Sequence, residues 1–116
     1  RGQPEFRQRL LDIYKGTCAI SGYDAFQALE AAHIIPYQGA ETNHPKNGIL
    51  LRSDLHTLFD LRLISIDTET MTVLVSPELL KTIYAQYQGK LIFTPQNPEE
   101  KPSIEALNKH RKESNL

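Results

Sequence analysis

Two short apolar runs, residues 28–35 and 49–51, flank a polar loop at 38–46 rich in Gly, Asn, Pro and Thr. A helix start follows the second run almost at once, and this succession constrains the fold more than any other part of the chain. Pro36 closes the first run, because proline cannot donate to a sheet ladder. Asn47-Gly48 is a strong turn signal at the head of the second. Both runs read as buried strands, broken in the first case only by Glu30 and His33. Ser53 then stands where an N-cap belongs, with Asp54 in the first turn of a helix expected to reach about Asp60.

The flanks supply further elements. Residues 4–14 predict a helix, with Pro4 at a first helical position, Phe6, Leu10, Ile13 and Tyr14 at helical spacing, and Gly16 as the stop. Arg7 and Arg9 fall on its polar side and read as a solvated face. Residues 17–20 are expected to form a short strand. Residues 63–66 and 71–75 are β-rich and joined by Asp67-Thr68-Glu69-Thr70, the pattern of a hairpin. Ser76, Pro77 and the stripe Leu79, Leu80, Ile83, Tyr84, Tyr87, ended by Gly89, predict another helix. Residues 94–102 carry three prolines and read as a linker. Residues 103–112 predict a last helix with a basic end at Lys109, His110, Arg111 and Lys112. The order is that of a mixed α+β fold.

Composition sets the outer bounds. A chain of 116 residues, 40% hydrophobic and 23% charged, is one globular domain by size. No apolar run approaches the ~20 residues of a membrane helix. The single cysteine, Cys18, cannot form an internal disulfide, and no secretory leader opens the chain. A reducing, cytoplasmic setting is therefore expected. The first residue is Arg1 rather than a methionine, from which an upstream partner domain is expected. A formal net charge of −1 gives no bulk positive field for a polyanion, so binding nucleic acid would need a local patch or a bound cation.

Four polar residues sit within the strand–loop–strand–helix stretch: His33, Asn47, His56 and Asp60. Singly, each has a structural reading. A histidine closing an apolar strand can be a hydrogen-bonded core residue, although imidazole, with an unperturbed pKa near 6.5, can also take a proton from water at physiological pH. Asn47 can serve the turn alone, or accept from a histidine ring N–H, or ligate a hard cation. His56 and Asp60, four apart, project from one side of a short helix. A carboxylate in the last turn opposes the helix dipole unless a positive charge is near, and Arg62 or a bound cation would supply one.

Their order changes the reading. A histidine closes a strand, an asparagine follows 14 residues later, and a helix-borne histidine comes nine after that. This pattern resembles the HNH nuclease family, whose ββα-metal core is a β-hairpin and a helix. The wording Glu30-Ala31-Ala32-His33-Ile34-Ile35-Pro36-Tyr37 and Asn47-Gly48-Ile49-Leu50-Leu51-Arg52-Ser53-Asp54-Leu55-His56-Thr57-Leu58-Phe59-Asp60 is similar to the version found in restriction-endonuclease-like proteins. The resemblance implies a ββα-metal core at residues 28–60 of a nuclease domain at 1–93, flanked by an N-terminal helix and a second hairpin, with residues 94–116 as a linker and a basic C-terminal helix. It implies His33 as the general base that activates water, Asn47 as the residue orienting it, and His56 and Asp60 as metal ligands. Arg52, just before the helix cap, is a candidate phosphate contact.

Two departures bear on the site. Many members carry a metal ligand immediately before the base, where this chain has Ala32. Glu30 lies on the same strand face, but one pleat, roughly 6.6 Å, away. The expected site is therefore His56, Asp60, substrate phosphate and waters, holding Mg²⁺ or Mn²⁺ weakly. Many members also carry paired Cys-x-x-Cys motifs, whereas Cys18 is followed by Ser21, so no structural zinc is expected. The resemblance thus implies a metal-dependent endonuclease acting on DNA, double-stranded by expectation, with specificity read elsewhere; the alternative is an inactive module that keeps the fold and binds DNA or protein.

Overall fold

Helix α1 (Pro4–Ile13) buries Phe6 and Leu10 on one face, and Tyr14 completes that stripe at full burial. The computed structural model describes residues 4–116. The buried face of α1 lies on the antiparallel pair β1 (Leu29–His33) and β2 (Gly48–Arg52). In this register Glu30 stands opposite Leu51 and His33 opposite Gly48. Gly48 is required by packing: a Cβ there would meet Phe6 Cζ at 2.7 Å and Leu10 Cδ1 at 2.8 Å. Helix α2 (Ser53–Asp60) follows β2 directly and packs Leu55, His56 and Phe59 inward. A second antiparallel pair, β3 (Ile64–Asp67) and β4 (Thr72–Val75), is joined by the expected turn. Helix α3 (Ile104–Ser114) starts after Ser103, whose hydroxyl accepts from Ala106 N at 3.1 Å. The expected α+β architecture is the one found, with two small hairpins and three helices among the described residues.

Three local expectations are corrected. Residues 17–20 form a turn, not a strand. Its backbone is held between Leu50, whose carbonyl accepts from Ala19 N, and Phe93, whose N–H donates to the Ala19 carbonyl. Ser53 does not cap α2: the cap position is Arg52, with no side-chain cap, and the Arg52 N–H donates to Cys18 Sγ at 3.3 Å. The helix expected from residue 77 to 87 is two 3₁₀ turns, Pro77–Leu79 and Ile83–Tyr87. Thr82 divides them. Its hydroxyl donates to the Leu79 carbonyl at 2.6 Å and accepts from Tyr84 N at 3.1 Å, satisfying backbone groups that a continuous helix would have used. Ile83 is consequently 74% exposed, so the apolar stripe is not one buried face.

Helix α3 docks on β3 and braces α2. His110, within the basic run, is 1% exposed and stacks on Phe59 with ring centroids 3.7 Å apart. Its Nε2 lies 2.7 Å from the Phe59 carbonyl, which can only accept, so Nε2 carries the proton. Nδ1 then accepts from the Ser65 hydroxyl, also at 2.7 Å. Burial pushes this imidazole down to about 4, against the smaller upward pull of the Phe59 carbonyl. The unfolded chain takes up a proton near pH 6.5 and the folded one does not, so stability is full above that pH and falls as pH drops towards 4. Between pH 7 and 5 we expect a loss of about 2 kcal/mol in denaturant titrations. The ring resonances of His110 should stay at the neutral position down to pH 5; a midpoint near 6.5 would refute the assignment.

Candidate active site

The strand end, the loop after it and α2 converge on an open cleft of about 470 Å³. Among its lining residues are His33, Tyr37, His56, Asp60, Arg7 and Arg62. Three of the four residues singled out in the sequence therefore share one surface depression. Asn47 does not line it.

His56 reaches the cleft from α2 but is 3% exposed. Its Nδ1 lies 2.7 Å from Glu30 Oε1, and its Nε2 lies 3.2 Å from Asp60 Oδ2. The i, i+4 spacing on one helix face places Asp60 there, and pairing across the hairpin brings Glu30 to the other side. Glu30 thus stands behind His56 rather than in the position vacated by Ala32, which is fully buried.

His33 is held from three sides. Phe6 stacks on it with centroids 4.6 Å apart and planes 20° from parallel. Tyr37 meets it edge-on at 5.7 Å. The Asn43 side-chain oxygen Oδ1 lies 2.7 Å from His33 Nε2. Asn47 instead clamps the loop backbone: Oδ1 accepts from Ile35 N at 2.8 Å, and Nδ2 donates to the carbonyls of Ile35 and Thr42 at 3.0 Å each. Its effect on His33 passes through the chain and not through the ring.

Arg52 lies away from the cleft. It makes a two-pronged pair with Asp54 at 2.6 and 3.0 Å, donates to the Tyr87 hydroxyl at 3.1 Å and lies over the Tyr23 ring. Partial burial raises the Asp54 carboxyl, but the bonds from Arg52 and Tyr84 outweigh it and hold the group below its ordinary value. Among the described residues, the guanidinium groups at the cleft are those of Arg7 and Arg62. Arg7 donates to the carbonyls of Leu29 and Phe26. Arg62 occupies the left-handed position after α2 (φ 64°), with its N–H on the Phe59 carbonyl and that of Leu63 on the Leu58 carbonyl, a Schellman closure. Its side chain bonds the Asp60 carbonyl and Glu113.

Residues 18–67 match the HNH endonuclease family. This stretch resembles an HNH endonuclease core. The match spans the Cys18 turn, the β1–β2 pair, α2 and β3, and so contains His33, His56 and Asp60 but neither Arg7 nor α3. A solved structure titled "Modification dependent TagI restriction endonuclease" shares the fold, with a TM-score of 0.62 at 17% identity over 91% of this chain. The chain spans 36% of that protein's length. No curated protein matches the sequence significantly. The HNH match supports a nuclease function, and HNH endonucleases generally use a divalent metal ion.

Among the described residues, no three His, Cys, Asp or Glu side chains are gathered in ligand geometry. His56 Nε2 and Asp60 Oδ2 do offer two adjacent donors on the cleft. That fits an ion that keeps most of its waters. No helix among these residues is long and apolar enough to cross a membrane.

Proposed function

We propose that the chain is the catalytic domain of a metal-dependent, restriction-like endonuclease that hydrolyses phosphodiester bonds in double-stranded DNA. The observation that carries this reading is the convergence of His33, His56 and Asp60 on one solvent-open cleft with two guanidinium groups. His33 takes the proton from the attacking water. Arg7 and Arg62, rather than Arg52, contact phosphate oxygens and oppose the charge that builds up on them. Mg²⁺ or Mn²⁺ would be held by His56 and Asp60 and, when bound, would stabilise charge on the phosphate and the leaving 3′ oxygen. Asn47 ties the loop after β1 to the start of β2, which keeps the His33 end of the hairpin in register with α2. Glu30 accepts from His56 Nδ1–H and so directs the other ring nitrogen towards Asp60. Recognition of sequence or modification falls to a separate domain, in keeping with a chain that spans 36% of the length of its structural neighbour.

The test is incubation of the purified chain with supercoiled plasmid. Nicked and linear products with 3′-hydroxyl and 5′-phosphate ends are expected with Mg²⁺ or Mn²⁺, and none with EDTA. The rival is a silent DNA-binding module, which the buried Ala32 at the missing ligand position favours. Salt-sensitive DNA affinity without divalent binding or cleavage would establish the rival and overturn the nuclease reading.

A further inference from the structure

The His–Asn–His pattern names three side chains, yet the one that hydrogen-bonds to the ring of the first, Asn43, is not among them. Asn43 reaches back over ten residues to place its side-chain Oδ1 2.7 Å from His33 Nε2. An amide oxygen only accepts, so Nε2 must carry the proton, and the lone pair of the neutral ring lies on Nδ1. The ring is not free to exchange the two nitrogens. Phe6 covers one face, and Tyr37 packs edge-on. The seat for Phe6 exists because Gly48, opposite His33 in the hairpin, has no side chain to displace it.

Asn43 is itself held. Its N–H donates to the Ala40 carbonyl at 3.0 Å, closing the 3₁₀ turn Ala40–Thr42. The Thr42 hydroxyl donates to the Gly39 carbonyl at 2.6 Å, and the Thr42 carbonyl accepts from Asn47 Nδ2 at 3.0 Å. Asn47 therefore fixes the residue that precedes Asn43, and Asn43 fixes the imidazole. Asn43 also lies off the cleft, lining a neighbouring hollow with Pro4, Glu5, Phe6, Arg9 and Ala40.

We propose that Asn43 is the positioning residue of the base: it sets His33 as the Nε2–H tautomer and leaves Nδ1 to accept the water proton. The role in the reaction rests on the nuclease reading above, while the tautomer assignment does not. In the step it serves, a water proton moves to Nδ1 and the water oxygen bonds to phosphorus. The bond from phosphorus to the 3′ oxygen breaks, and that oxygen takes a proton from solvent.

The experiment is long-range ¹H–¹⁵N correlation of the imidazole nitrogens at pH 8, with kcat measured on plasmid DNA. Wild type should show His33 with Nε2 protonated and Nδ1 bare. Asn43→Ala should give averaged tautomer signals and a kcat reduced about tenfold or more, the low end of what positioned acid–base groups contribute. Asn43→Asp keeps the acceptor and should restore the wild-type tautomer. A protonated Nδ1 in wild type, or an unchanged tautomer in Asn43→Ala, overturns the proposal. The wild-type spectrum decides this even if Asn43→Ala fails to fold. A chain that shows the expected tautomers but never cleaves DNA would sink the nuclease reading and leave the tautomer assignment standing.

Discussion

His33→Ala should lower the rate of plasmid cleavage by about 10²–10⁴-fold, the range a positioned general base contributes. The loss should appear in kcat with DNA affinity nearly unchanged, because the phosphate contacts proposed for Arg7 and Arg62 do not involve the imidazole. His33 is only partly buried, and truncation removes its stack on Phe6 without opening a sealed core cavity. The fold should therefore persist, with a denaturation midpoint close to wild type. Added imidazole should recover part of the activity in His33→Ala by entering the space left beside Phe6 and Tyr37. Undiminished cleavage in this variant would place the base on another residue.

What could be read in advance was what depends on neighbours along the chain. The span from β1 through α2 was legible because apolar runs, a turn dipeptide and an i, i+4 pair are local signals, and the α1 stripe was legible for the same reason. The break at Thr82 was not, since a threonine hydroxyl competing for backbone groups leaves the apolar spacing untouched. His110 was hidden in a basic run. Its burial depends on Phe59 and Ser65, which lie 51 and 45 residues away. The cleft arginines show the same division. Arg7 read as a solvated helix residue, and only the docking of α1 beside β1 brings it to the carbonyls of Leu29 and Phe26. Arg52 looked well placed because it precedes a helix start, yet Asp54 two residues on supplies its partner. Loop composition marked residues 38–46 as loop but carried no sign of which one bonds the His33 ring, and Asn43 is that one.

The second large effect is expected at Glu30, which spacing alone presented as a poor stand-in for the ligand missing at Ala32. Its carboxylate is 2.7 Å from His56 Nδ1, and that hydrogen bond fixes the ring orientation and makes Nε2 a better donor. Glu30→Ala removes this support and leaves a nearly buried imidazole with one fewer partner. Mn²⁺ affinity, followed by electron paramagnetic resonance or calorimetry, should fall about 10–100-fold, the usual cost of losing such a partner. Glu30→Gln retains an oxygen that can accept from Nδ1 and should fall by much less. That contrast separates support of His56 from direct ligation, because a ligating carboxylate would lose its charge in both variants and both would bind poorly. Equal, large losses in Ala and Gln would therefore return Glu30 to the metal, while no loss in either would leave His56 held by its helix alone.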